Sequence, residues 1–166
     1  MFINDYGYIE LYCVGEKIMF DSLSNGNDDI IVKVTQTGFT DPSGVQGIIV
    51  LTSDDGRSLS MSSFSGEVAN YVSKFMDGDR TSTPSIYKMI SELADRHSIF
   101  LKEVEIYNRN SVLRANLYFK CRDDDYTLHN YRASDSIALA TFYDAPIRIS
   151  RSLFDKLSSQ VYKNKR

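Results

Sequence analysis

The stretch Tyr131-Arg132-Ala133-Ser134-Asp135-Ser136-Ile137-Ala138-Leu139-Ala140, closed by Ala145-Pro146-Ile147, constrains the fold more than any other part of the chain. It states where a helix begins, what it buries and where it stops. Ser134 reads as the cap, a hydroxyl able to accept from an otherwise unpaired amide. Asp135 follows at the positive end of the helix dipole. Ile137, Ala138 and Leu139 then supply a small, apolar surface for close packing, and Pro146 ends the helix at or before Ala145.

Around this helix the pattern alternates between strands and helices. Residues 8–14 alternate as a strand does, and Ser22 to Asp29 reads as a loop. Ile30–Thr37 and Gly47–Thr52 are apolar enough for buried strands, joined by the turn Asp41-Pro42-Ser43-Gly44. Asp54-Asp55-Gly56-Arg57 turns the chain into a further strand, Ser58–Met61. From Gly66 to Met76 apolar residues recur at helical spacing, and Gly78 closes that helix. Thr83 then predicts a cap with Pro84 at the first helical position, before a stripe of Ile86, Met89, Ile90, Leu93 and Ala94 expected in the core. Phe100–Tyr107, Val112–Lys120 and Tyr126–Tyr131 follow as strands joined by Asn- and Asp-rich turns. A short strand from Pro146 to Ile149 and a helix from Ser152 to Tyr162 complete the chain, and no internal repeat appears. Consecutive strands with tight turns, and helices inserted between sets, predict an α+β single domain: a largely antiparallel or mixed sheet with three to four helices packed on it.

The stretch around Ser134 resembles the signature of the bifunctional nuclease domain family, roughly Asp-x-Arg-Pro-Ser-Asp-Ala-Ile-Ala-Leu-Ala, a spacer and Ala-Pro-Ile. Arg132, Ser134, Asp135, Ile137 to Ala140 and Ala145 to Ile147 match in register. Weaker likeness runs upstream through the Asp41 turn, Ile48 to Leu51, Glu67 and Arg80 to Thr83. This divides the chain into an N-terminal extension (1–29), a domain of the family type (30–157) and a basic C-terminal tail (158–166). The resemblance implies hydrolysis of phosphodiester bonds in RNA or DNA, assisted by a divalent metal such as magnesium or manganese, with no organic cofactor. It carries Glu67 and Asp135 as the catalytic carboxylates, and Arg132, Ser134 and Thr83 as substrate contacts; the metal ligands stay unassigned. Arg132 reads equally as an internal partner of Asp135 or as a phosphate ligand. For Glu67, Ser134 and Asp135 the alternative is an ordinary first-turn acid, a cap and a dipole partner.

The chain departs from the family pattern at Asn130, where an acid is usual, and at Pro84-Ser85, where the pattern has His-Asp. If those positions are catalytic, a weak or inactive protein is expected; if they are caps, nothing follows. The competing reading is therefore a binding or oligomeric assembly module that keeps the fold without the chemistry.

Composition narrows the partners. A formal net charge of −3 opposes nucleic-acid binding in aggregate, so any such site must be local. The best concentration of base is C-terminal, where Arg148, Arg151, Lys156, Lys163, Lys165 and Arg166 meet only Asp155, unless these are a solvated helix face and tail. Tyr126, Tyr131 and Tyr143 flank the signature as a further surface for stacking bases. Cys13 and Cys121 read as buried thiols, and His97 and His129 as a helix end and a strand residue. The Asp pairs and triplet at 28–29, 54–55 and 123–125 read as turns. With no apolar run near the roughly 20 residues that cross a bilayer, and no signal-peptide pattern at the start, a cytoplasmic homo-oligomer without membrane contact is expected.

Overall fold

The computed structural model describes residues 28–122 and 124–163, without the side chains of Ser63 and residues 160–163. The expected strand at 8–14 lies outside the described residues. The elements run β1 (Asp29–Phe39), β2 (Gln46–Ser53), β3 (Ser58–Ser65), α1 (Gly66–Met76), α2 (Ile86–Arg96), β4 (Ile99–Arg109), β5 (Val112–Cys121), β6 (Asp124–Arg132), α3 (Ala133–Tyr143), β7 (Ile147–Ser150) and α4 (Arg151–Lys163). They form one mixed sheet, in the order β3-β2-β1-β7-β4-β5-β6, with four helices. The domain is α+β, as the pattern of turns predicts.

Two antiparallel meanders flank β7, which pairs antiparallel with β1 through Ile31 and Arg148 and parallel with β4 through Glu105 and Arg148. Each meander runs straight into a helix and is followed by a second one, so the unit of three strands and a helix occurs twice. The sequence shows no such repeat. Phe75 and Phe142 are the penultimate residues of α1 and α3, and their rings meet edge to face at 5.0 Å.

Along the strands, Ile30, Val32, Ile49, Leu51, Leu59, Val104, Ile106, Leu117, Phe119, Ile147 and Ile149 are buried and join the helices in a single core. Their neighbours point to the opposite, less buried face, as a period of two requires; these are polar or charged in β4 and β7 (Glu105, Arg148) but apolar in β2 (Ile48, Val50). Gly47 permits the close seat of α1, since a Cβ there would come within 2.5 Å of the Ala69 Cβ.

Three local expectations are corrected. The stripe of Ile86, Met89 and Leu93 does not face the core: these residues are 53%, 52% and 55% exposed. The buried face of α2 is one residue further on, with Tyr87 and Ala94 buried and Ile90 half-buried. Tyr87 wins because its ring packs edge to face on Tyr71 and Phe75, at 5.6 and 5.4 Å. Nor do Thr83 and Pro84 start α2; Ser85 is its cap, accepting from the Lys88 amide at 3.2 Å. Likewise Ser134 does not cap α3. The cap position is Arg132, which makes no side-chain cap bond, because β6 turns into the helix without a linker. At the other end the expectation holds, with Asp144 left-handed at φ 56° and the Ala145 amide bonding the Ala140 carbonyl at 2.9 Å.

Candidate functional site at the starts of two helices

Glu67 occupies the first turn of α1 behind its cap Ser65, and Asp135 the first turn of α3. Acids are favoured at both places by the exposed amides of a helix start. Arg132 lies just ahead of Asp135, its Nε 3.6 Å from Oδ2, and both side chains are largely exposed. A pair so loose and wet contributes little to stability. Arg132 therefore keeps most of its donors free for an anion, and the uncapped amides that open α3 point toward the same end.

The charges of these residues are felt by one buried side chain, Tyr87. Burial pushes its hydroxyl up to about 12, and the carboxylates of Asp135 and then Glu67 add to the shift while Arg132 opposes it. Both acids and the guanidinium thus act on one buried phenol, which stays a neutral hydrogen-bond donor through the physiological range. Sequence reasoning missed Tyr87. The signal was present, since Tyr87, Ile90 and Ala94 share a helix face as readily as Ile86, Met89 and Leu93 do.

The raised value has a measurable consequence. The folded state holds the Tyr87 proton more tightly than the unfolded chain, so its contribution to stability is complete below pH 10, the ordinary value, and is lost as pH rises through about 12. Ultraviolet tyrosinate titration of wild type against Tyr87→Phe is expected to show one proton released near pH 12 that the variant lacks. A difference spectrum centred near pH 10 would contradict the burial of this hydroxyl.

The remaining candidates sit elsewhere. Ser134 is buried, its Oγ 3.5 Å from Asp135 Oδ1. Thr83 accepts from Lys74 Nζ at 2.7 Å, about two turns along α1 from Glu67. Asn130 lies in the bulge where β6 shifts register, at φ 65°, a conformation Asn tolerates better than most residues. Its Oδ1 accepts from the Tyr107 hydroxyl at 3.4 Å and its amide donates to Asn116. Both departures from the family pattern, Asn130 and Ser85, thus have structural work as a bulge residue and a cap.

The C-terminal basic patch is not one surface. Arg148 is enclosed by Asp29, Glu103 and Glu105; Arg151 pairs with Asp28; and Asp155 pairs with Arg57. Lys165 and Arg166 lie outside the described residues. Of the three flanking tyrosines only Tyr131 is exposed, while Tyr126 stacks on Phe119 and Tyr143 is half-buried. The Asp55 turn is an ordinary one, its carboxylate held low by hydrogen bonds from Arg57 and Ser53. His97 caps the end of α2 and Cys121 is half-buried, with Sγ 3.7 Å from the His97 carbonyl.

Among the described residues no group of three or more His, Cys, Asp or Glu is placed to hold a metal ion. Among the described residues no helix is long and apolar enough to cross a membrane.

No curated protein matches the chain. The family model of the bifunctional nuclease domain matches residues 49–162, well over half of the sequence, and takes in Glu67, Thr83, Arg132, Ser134 and Asp135. The chain therefore belongs to the bifunctional nuclease domain family.

Proposed function

We propose that this protein hydrolyses phosphodiester bonds in RNA or DNA at the start of α3, a reading best supported by the exposed Arg132 beside Asp135 at an uncapped helix start within the matched family domain. Arg132 and the uncapped amides of α3 receive the phosphate. Tyr87, kept neutral, donates to a phosphate oxygen as charge builds on it. Asp135 or Glu67 takes the proton of the attacking water as its oxygen bonds phosphorus and the bond to the leaving sugar oxygen breaks. Magnesium or manganese belongs to this proposal only as an ion carried by the phosphates of the substrate, and no organic cofactor is part of it. A cytoplasmic setting, without membrane contact, belongs to the same proposal.

The test is a time course of purified protein on labelled single-stranded RNA, single-stranded DNA and duplex DNA, with magnesium, manganese or EDTA. Cleavage of at least one substrate is expected. Its absence throughout would favour the noncatalytic module.

One observation favours self-assembly under either reading: the apolar side chains of Ile86, Met89 and Leu93 face outward together on α2. Exposed apolar patches of this kind mark contact surfaces. We place a second copy of the chain there. Sedimentation at about 10 µM is expected to show an oligomer that Met89→Glu dissociates to monomers. A monomeric wild type, or an oligomer indifferent to the charge, would contradict it.

A further inference from the structure

A cavity of about 380 Å³ lies where α1 and α3 end, not where they begin. Its origin is a gap in the sheet. β7 pairs with β1 only from Asp29 to Val32, whereas β1 continues to Phe39 along β2. Beyond Val32 the β7 side of β1 has no partner among the described strands, and Lys33 and Val34 border the cavity. Phe75 closes it from α1 and Ala140 from α3. The volume falls in the range of small-molecule sites, which are mostly apolar with a few placed polar groups.

The placed polar group is Arg80. Its Nε donates to the Phe142 carbonyl at 2.6 Å, which fixes the guanidinium against the end of α3. That bond satisfies the helix end with a single N–H. Among the described residues the terminal nitrogens of Arg80 have no carboxylate partner, although the side chain is half-buried. Lys33 and Arg80 outweigh Asp144 at the border of the cavity by one positive charge. Arg80 and the run from Ala140 to Ile147, separate in sequence and both singled out by the family likeness, meet here. This place is about 9 Å along α3 from Asp135.

We propose that the cavity binds a small organic anion, a compact apolar body bearing one carboxylate or phosphate, with Arg80 as the partner of the charge. The apolar part of the lining, Val34, Phe75 and Ala140 among it, takes the body. The free edge of the guanidinium takes two oxygens of the head group in its planar fork. This site stands independently of the nuclease reading.

The experiment is an amide NMR titration of the intact protein with hexanoate and with phenyl phosphate, beside hexanamide and inorganic phosphate. At least one of the two amphiphilic anions is expected to bind at one saturable site, shifting amides at 32–34, 78–80 and 140–145. Hexanamide and inorganic phosphate are expected to bind about tenfold more weakly or not at all, because each lacks one half of the recognition. Arg80→Gln is expected to weaken the anions about tenfold and leave hexanamide unchanged. That variant also frees the Phe142 carbonyl, so Val34→Phe serves as a second: it fills the cavity, keeps Arg80 and is expected to abolish binding. No saturable shifts at these amides, hexanamide binding as well as hexanoate, or undiminished binding by folded Val34→Phe would each overturn the assignment. A preference for hexanoate or for phenyl phosphate identifies the head group.

Discussion

Alanine at Gly66 is expected to lower the melting temperature by about 6–12 °C, the equivalent of about 3 kcal/mol at this size. By helix propensity alone the change should help, since alanine exceeds glycine by up to about 1 kcal/mol in a helix. The packing decides otherwise. A Cβ on Gly66 would lie 1.7 Å from the Gly44 carbonyl oxygen and 2.7 Å from its carbon, and both are backbone atoms. Nor can the turn retreat easily: the Gly66 amide bonds the Val45 carbonyl at 2.8 Å, and Gly44 holds φ +69°. Something must move by more than an ångström, which places the variant among severe overpacking changes. Gly56 supplies the control. It has φ +83° with nothing within 4 Å of a built Cβ, so Gly56→Ala is expected to cost about 1 kcal/mol from backbone strain alone. Thermal unfolding of both variants checks the order; equal losses would show that Gly66 is not the tight point.

Replacing Arg148 by methionine is expected to cost about 3 kcal/mol, although the stem of the side chain is retained. From the middle of the sheet the guanidinium reaches both neighbouring strands, bonding Asp29 on β1 at 2.5 Å and Glu103 on β4 at 3.2 Å, with Glu105, also on β4, at 3.6 Å. It also lies over the Tyr118 ring, whose hydroxyl donates to Glu105 at 2.6 Å. Burial works against the charge, and these partners outweigh it, so the group is held cationic more firmly than an ordinary arginine. Methionine would leave three carboxylates facing one another without a cation, and that residue of negative charge is the larger part of the cost. A double-mutant cycle isolates it: Glu103→Gln, destabilising in wild type, is expected to be less so, or stabilising, beside Arg148→Met. Denaturant unfolding gives the four values. Additive losses would mean the cluster is not coupled. The exposed pair Lys102–Asp125 should by contrast contribute little, because solvent screens it.

What could be read from the sequence follows the range of the interactions involved. The strands were legible because their ends are set by local turn chemistry, as at Asp41-Pro42-Ser43-Gly44, where the Asp41 carboxylate accepts from the Gln46 amide at 2.7 Å and Gly44 takes the positive φ. The end of α3 was legible for the same reason. Its start was not, because a strand that runs directly into a helix leaves the cap to Arg132 and buries the Ser134 that a local rule would choose. The face of α2 depended on Tyr71 and Phe75, which are distant in sequence, so two helical phases fitted equally well until packing chose Tyr87. Of the candidate site, Glu67, Arg132 and Asp135 could be named from family likeness and helix-start chemistry. Tyr87 was missed because its helix face was read in the other phase. The repeated plan was hidden because Val68 and Asp135 occupy corresponding positions in α1 and α3 with unrelated chemistry.

The most direct test of the account is the rate of single-turnover cleavage by Asp135→Asn, measured beside Glu67→Gln and wild type on the best substrate, with melting temperatures taken on the same samples. The account predicts a loss of about 100-fold or more for Asp135→Asn or Glu67→Gln with the fold intact, the size expected when a group positioned for proton transfer is removed. Cleavage by both folded variants at the wild-type rate would contradict it and move the chemistry away from the starts of α1 and α3.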